Sequence, residues 1–126
     1  MNKSEQPIAV FDSGVGGISV LREMVKIMPY EDFIYYGDSK HAPYGTKSLE
    51  EVRSLTISHT RELMGQGAKA VAIACNTATS AAVRILRKMY PQLPLVGIEP
   101  ALKPPVLFKH HPTVLVMGVA MTSTVG

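Results

Sequence analysis

The sequence predicts an α/β fold in which a parallel β-sheet has helices on both faces, followed by the start of a second, similar lobe. Short apolar runs, typical of strands, alternate with segments of helical periodicity through most of the 126 residues. Residues 70–74 (Ala-Val-Ala-Ile-Ala) are continuously apolar, small or β-branched, as in strands buried on both faces of a sheet. Strands joined through helices in this way lie side by side and parallel.

The first unit is a strand, a glycine-rich turn and a helix. Residues 8–11 form the apolar run, and residues 12–17 (Asp-Ser-Gly-Val-Gly-Gly) follow it directly. Four apolar residues then recur at helical spacing, and Pro29 lies where that helix should end. These four residues are Leu21, Met24, Val25 and Met28.

The second unit begins with an apolar strand over residues 33–36 and continues into a polar loop rich in Gly and Pro. Ser48 followed by Glu51 is a capping-box pattern, which predicts the start of a helix. Gly65 and Gly67 predict its end. The apolar face of this helix is predicted to contain Leu49, Val52, Leu55 and Leu63.

The third unit contains the buried strand over residues 70–74 and a helix with apolar residues three and four apart that end at Tyr90. Residues 95–98 form a fourth predicted strand, and residues 114–119 a fifth. Two consecutive prolines between them break any helix and predict a crossing between lobes. We therefore expect a first lobe over residues 1–99, with the crossing segment and the first strand of a second lobe over 100–126.

Composition excludes several classes of protein. With 46% hydrophobic and 18% charged residues the chain is typical of soluble globular domains. Its net charge of +3 comes from scattered basic residues, which disfavours nucleic-acid binding. One cysteine and four histidines without paired spacing predict no internal disulfide and no metal site. No run is long enough to span a membrane and no signal peptide is recognisable, so we expect a cytoplasmic protein.

Cys75 is the strongest candidate for chemistry. It lies where the buried strand ends and the following helix begins, which in open α/β folds is the edge of the sheet that binds ligands. Free N–H groups at a helix N-terminus favour an anion, and a thiolate is such an anion. Asn76 and Thr77 add polar groups at the same junction. The alternative is a buried structural thiol, which is the role of most single cysteines.

Asp12 and Ser13 end the first strand at the same edge of the predicted sheet. They are candidates for ligand binding, and helix capping is the alternative. The turn that follows does not match the dinucleotide fingerprint G-x-G-x-x-G, because Ser19 occupies the position of the third glycine. The sequence therefore predicts no nucleotide cofactor.

Tyr44 and Gly45 have two interpretations, as ordinary turn residues or as a place where a ligand carboxylate approaches a backbone N–H group. His59 falls near the apolar face of its helix and is interpreted as a packing residue. The other histidines are interpreted as surface or interface residues; they are His41, His110 and His111.

Five stretches together resemble the glutamate racemases. They are residues 12–17, 36–39 (Tyr-Gly-Asp-Ser), 43–45 (Pro-Tyr-Gly), 74–79 (Ala-Cys-Asn-Thr-Ala-Thr) and 97–101 (Gly-Ile-Glu-Pro-Ala). Each motif is weak alone, but their order and spacing agree with that family across residues 8 to about 117.

The resemblance implies a cofactor-independent isomerase that interconverts L- and D-glutamate and supplies D-glutamate for peptidoglycan. It implies a small-molecule substrate and no metal. Cys75 corresponds to one of the family's two catalytic cysteines, and we interpret Asp12 as an auxiliary to it. The residues that match substrate contacts are Asp12, Ser13, Tyr44, Gly45, Asn76 and Thr77.

The chain also departs from the family pattern. The second catalytic cysteine belongs to a Cys-Thr-His motif, which is absent here, and family members are about twice as long. We therefore expect one half-site that is inactive alone, unless a homodimer brings in a second thiol. An aspartate racemase fits the motifs less well than a glutamate racemase. The alternative function is a non-catalytic module that binds an acidic ligand or partner.

Overall fold

The computed structural model describes residues 5–98. Each strand and helix predicted within this range is present, with boundaries shifted by a few residues at most. The fifth predicted strand (114–119) and the predicted division at residue 100 lie outside the described residues.

The elements are β1 (Ile8–Asp12), α1 (Ile18–Ile27), β2 (Phe33–Gly37), α2 (Leu49–Gly65), β3 (Ala70–Ile73), α3 (Asn76–Met89) and β4 (Leu95–Gly97). Two 3₁₀ turns, Ser39–His41 and Tyr44–Thr46, lie in the loop after β2.

The four strands form one parallel sheet in the order β2-β1-β3-β4. Along β1, Asp12 pairs with Gly37 of β2, and Phe11 pairs with Ile73 of β3. The parallel α/β architecture predicted from the sequence is confirmed. The chain leaves β1 toward one side of the sheet and returns to the other side for β3. The carboxyl ends of β1 and β3 therefore border a topological switch point, where folds of this type bind ligands.

The strand order also distributes the helices. The crossover from β1 to β2 runs in the opposite direction to the crossovers that follow, so right-handed connections place α1 on one face and α2 and α3 on the other. Helices α2 and α3 contact each other. The main hydrophobic cluster packs these two helices on the sheet and contains no residue of α1. Its fully buried members include Phe11, Val52, Leu63, Ile73 and Leu86.

The face that carries α1 is less well covered. No residue of α1 is buried, and Val25, predicted to face the core, is 44% exposed. Val96 in β4, which is paired with Ala72, points to this face and is 61% exposed. On the other face, Leu49 at the start of α2 is 43% exposed, so its predicted burial is wrong. A residue in the first turn can project beyond the edge of the sheet that its helix covers.

Within the described residues, no helix combines the length and the apolar composition needed to cross a membrane.

Candidate active site at the carboxyl edge of the sheet

The switch point brings Cys75 and Ser13 together. Ser13 follows β1 and Cys75 follows β3, and these two strands are neighbours in the sheet. The Cys75 Sγ lies 3.5 Å from the Ser13 Oγ, to which it donates a hydrogen bond. Two residues 62 positions apart in the chain, which we selected separately as candidates, are therefore in direct contact.

Cys75 is the N-cap residue of α3. Its Sγ accepts a hydrogen bond from the Ala78 N–H at 3.4 Å, and its backbone conformation is extended, as expected of an N-cap. The side chain is 8% exposed and belongs to the hydrophobic cluster. The sulfur therefore lies at the N-terminus of α3, the positive end of the helix dipole. Its burial also agrees with a packing role, so catalysis stays a prediction.

Asp12 holds the turn between β1 and α1 through two hydrogen bonds. Its Oδ1 accepts the Ser13 N–H at 2.8 Å, and its Oδ2 accepts the Gly17 N–H at 2.6 Å. A Cβ at position 17 would lie 2.9 Å from the Asp12 Cβ and 3.0 Å from the Ala74 Cβ, so only glycine fits there. The N-cap residue of α1 is Gly17, which makes no side-chain cap hydrogen bond, so the structural role of Asp12 is to hold the turn before the helix. Each carboxylate oxygen keeps a lone pair for a further donor, so a ligand-binding role stays compatible.

Asn76 and Thr77 form the first turn of α3. Thr77 is buried, and Asn76 is partly buried. The Asn76 Oδ1 is buried and has no hydrogen-bond partner. An unpaired buried acceptor is costly, and a ligand N–H group at this position would satisfy it.

Tyr44 and Gly45 lie in the second 3₁₀ turn, which contacts α3. The Tyr44 ring is buried in the cluster that also contains Cys75. Burial raises the pKa of Tyr44 far above its usual value, and its hydrogen bond to Asp38 and the charges of Asp38 and Cys75 add to the increase. The phenol therefore stays protonated. The structure thus groups all the predicted site residues around one edge of the sheet.

Sequence reasoning did not identify Asp38 and His59 as neighbours of the site residues. Asp38 follows β2, is 3% exposed, and accepts hydrogen bonds from Tyr44 Oη (2.6 Å), His41 Nδ1 (2.8 Å) and His59 Nε2 (2.9 Å). Burial alone would raise the pKa of Asp38, but these hydrogen bonds outweigh it, so the pKa lies below its usual value. The interpretation of His59 as a packing residue is incomplete, since its ring also donates to a buried carboxylate. One feature of the sequence could have identified Asp38 as a site residue: it is an acidic residue close to the end of a predicted strand.

Asp38, His41 and His59 are also a group of the described residues that could hold a metal ion, because their ligand atoms lie within 4.8 Å of one another. The observed separations of 2.8 to 2.9 Å are hydrogen-bond distances between the ligands themselves. The Tyr44 phenol also donates to Asp38 Oδ2, the oxygen that His59 contacts. The geometry is therefore that of three hydrogen-bond donors around one carboxylate.

Comparison with known proteins identifies relatives of the chain. No family model matches it. The curated glutamate racemase of Clostridium novyi (strain NT) is 56% identical over 122 residues, which are 97% of this chain and 47% of the relative. The chain is homologous to the glutamate racemases. This confirms the resemblance drawn from the five motifs. The chain spans about half the length of the curated relatives that it matches.

Solved glutamate racemases share the fold. The Thermus thermophilus enzyme, in complex with β-chloro-D-alanine, aligns with a TM-score of 0.73 at 43% identity, covering 76% of this chain and 37% of that one. The Escherichia coli enzyme, in complex with L-glutamate and an activator, aligns with a TM-score of 0.74 at 32% identity, covering 83% of this chain and 40% of that one. The predicted fold class therefore agrees with that of the racemase homologues.

Proposed function

We propose that this chain provides one half-site of a cofactor-independent glutamate racemase that works by proton transfer between two cysteines. The observation that carries the proposal is the Cys75 thiol, placed at the N-terminus of α3 and 3.5 Å from the Ser13 hydroxyl. Homology to glutamate racemases gives the substrate class. In this proposal residues 1–99 belong to the first lobe, and residues 100–126 lead into the second.

Racemisation needs a group on each face of the α-carbon. The Cys75 thiolate takes the α-proton of D-glutamate, and a thiol on the opposite face returns a proton to give L-glutamate. In the reverse direction the two sulfurs exchange roles. A single base would tend to return the proton to the face from which it came. Cys75 is the only cysteine in the sequence, so the second sulfur must come from outside these 126 residues.

The neighbouring groups suit a zwitterionic amino acid. In this proposal, backbone N–H groups at the start of α3 and at Gly45 hold the α-carboxylate and stabilise the charge that develops on it. The unpaired Asn76 Oδ1 and the remaining lone pairs of the Asp12 carboxylate are suited to the substrate ammonium group. Asp12 thereby assists Cys75 by controlling the charge of the ammonium next to the reacting carbon.

The cellular role follows from the product. D-Glutamate would supply peptidoglycan synthesis, with the enzyme in the cytoplasm. The partner implied by the chemistry is the small-molecule substrate, and a homodimer is the arrangement in which a second copy of Cys75 could serve as the opposite base.

A hybrid enzyme tests the proposal. The matched 122 residues of the Clostridium novyi racemase are replaced by those of this chain, and interconversion of D- and L-glutamate is followed by circular dichroism. We expect the hybrid to racemise glutamate. Cys75→Ala should reduce kcat/KM by about 10²–10⁴-fold or more, the usual contribution of a positioned acid or base. Met89→Leu, at an exposed position of α3 far along the helix from Cys75, is the matched control and should keep the activity.

A folded hybrid whose activity is the same with and without Cys75 would contradict the proposal. The chain of residues 1–126 alone should show no racemisation, because it contains one thiol. Turnover by that chain which disappears in Cys75→Ala would overturn the half-site arrangement in favour of two Cys75 thiols in a homodimer.

A further inference from the structure

The proposed reaction does not use the buried carboxylate of Asp38. This side chain lies beside the site, since the Asp38 N–H donates to the Asp12 carbonyl at 2.9 Å. Its Oδ2 accepts hydrogen bonds from both the Tyr44 phenol and the His59 ring. One oxygen atom thus joins a residue of α2 to the turn that contains Gly45.

The His59 ring is held on several sides. It is 7% exposed, and its centroid lies 4.8 Å from that of Tyr36 and 5.6 Å from that of Phe11. The Nε2 atom points to Asp38, while the Nδ1 atom is buried, has no hydrogen-bond partner, and lies 3.6 Å from the Glu62 Oε2. A ring fixed in this way holds the Asp38 carboxylate from the core side.

His41 contacts the same carboxylate from the solvent side. Its Nδ1 lies 2.8 Å from Oδ1 and 3.0 Å from Oδ2, and its side chain is 38% exposed. Without the donor from His59, the Asp38 carboxylate could turn toward His41 and water. Its Oδ2 would then move away from Tyr44.

Tyr44 connects the Asp38 carboxylate to the turn that contains Gly45. The phenol donates to Asp38 at 2.6 Å, and the Tyr44 carbonyl accepts the Lys47 N–H at 3.1 Å, which closes the turn around Gly45. The proposed site requires the Gly45 N–H to keep one orientation toward the substrate carboxylate. The buried ring of Tyr44 also holds this turn, and its phenol adds the one directional contact, so the orientation is best defined while the acceptor of the phenol stays in place.

We infer that His59 is a positioning residue, which acts through Asp38 and Tyr44 to hold the turn at Gly45 in its substrate-binding orientation. The effect of His59 on substrate binding rests on the proposed function. The chain of hydrogen bonds from His59 through Asp38 to Tyr44 does not depend on it. In the proposed site His59 acts only through these two residues and contacts neither the reacting atoms nor the substrate.

Two substitutions of similar size separate the donor from the bulk of the side chain. In His59→Gln the amide nitrogen can occupy the place of Nε2 and keep the hydrogen bond to Asp38. In His59→Asn the side chain is shorter and the donor no longer reaches. Hydrogen exchange of the Lys47 amide, measured by NMR in the 126-residue chain, reports on closure of the turn.

We expect His59→Asn to accelerate exchange at Lys47 about tenfold and His59→Gln to leave it near the parent rate. Exchange in β3 should change in neither variant. Tyr44→Phe breaks the same link without altering His59, so it should accelerate exchange equally, and combining it with His59→Asn should add little. Equal behaviour of the Asn and Gln variants, additive effects, or equal acceleration in β3 would overturn the inference.

The hybrid racemase provides a separate measurement. There His59→Asn should raise KM for glutamate several-fold with a smaller effect on kcat, and His59→Gln should restore KM. If the hybrid is inactive with the native His59, the proposed function fails, while the exchange measurements still decide whether His59 positions the turn.

Discussion

Replacing Asp38 with asparagine should destabilise the chain strongly at neutral pH. The substitution preserves shape but replaces one carboxylate oxygen with an NH₂ group, although the three neighbours of Asp38 all approach it as donors. Hydrogen bonds to a charged group each contribute about 1.5–3 kcal/mol. The asparagine oxygen can keep one of them, and contributions within one network are not additive. We therefore expect a loss of about 2–5 kcal/mol in the free energy of unfolding.

The loss should depend on pH, because the pKa of Asp38 is lower in the folded chain than its ordinary value. The unfolded state takes up a proton at Asp38 first as the pH falls. The stabilisation is therefore fully present above the ordinary aspartate pKa of about 3.9, and it is lost as the pH falls through the folded pKa. The parent chain and Asp38→Asn should accordingly become more similar in stability toward pH 3.

Urea denaturation followed by circular dichroism at pH 7 and at pH 3 to 4 measures both effects. With an m-value of about 1–3 kcal/mol/M, the midpoint at pH 7 should fall by on the order of 1 M or more. Asp32→Asn, at an exposed position just before β2, is the matched control and should change the midpoint little. The reasoning is refuted if Asp38→Asn behaves like this control, or if its deficit stays constant between the two pH values.

Three further predictions concern packing. Leu86→Ala, at a fully buried position of α3, should lower the free energy of unfolding by about 2–5 kcal/mol in urea titrations, with a much smaller change for the exposed Met89→Ala. Gly97→Ala places a Cβ 2.5 Å from the Thr79 Cγ2, so it should destabilise by about 1–3 kcal/mol, and Thr79→Ser, which lacks that methyl group, should recover part of the loss. The incompletely covered face should make the chain bind a hydrophobic dye and self-associate in light scattering, and Val96→Thr should weaken both; unchanged dye fluorescence would show that the dye binds elsewhere.

Most elements could be predicted because their signals are local. The strand over residues 70–74 is apolar throughout, and the Ser48 hydroxyl accepts the Glu51 N–H as the capping pattern predicts. Cys75 and Ser13 could be selected because each directly follows a predicted strand. Alternation of strands and helices was then sufficient to place both at one edge of a parallel sheet.

The remaining features depend on tertiary contacts. His59 and Asp38 are 21 positions apart, and periodicity showed only that His59 lies near an apolar face. Their hydrogen bond follows from the way α2 packs across the end of β2, which a pattern within one helix does not contain. The incomplete burial of α1 likewise depends on what covers its side of the sheet, and its own apolar spacing does not report this.

The two hydrogen bonds that Asp12 accepts from Ser13 and Gly17 have a consequence for reading related sequences. A homologue that has lost its chemistry still needs an acceptor at the start of α1, and glycine at position 17 leaves room for that carboxylate. The presence of this aspartate therefore reports an intact scaffold as much as an active enzyme. Cys75 has a weaker structural requirement, since serine or threonine would cap α3 as well. A thiol at that position is the better marker of a sequence in which the chemistry has been kept.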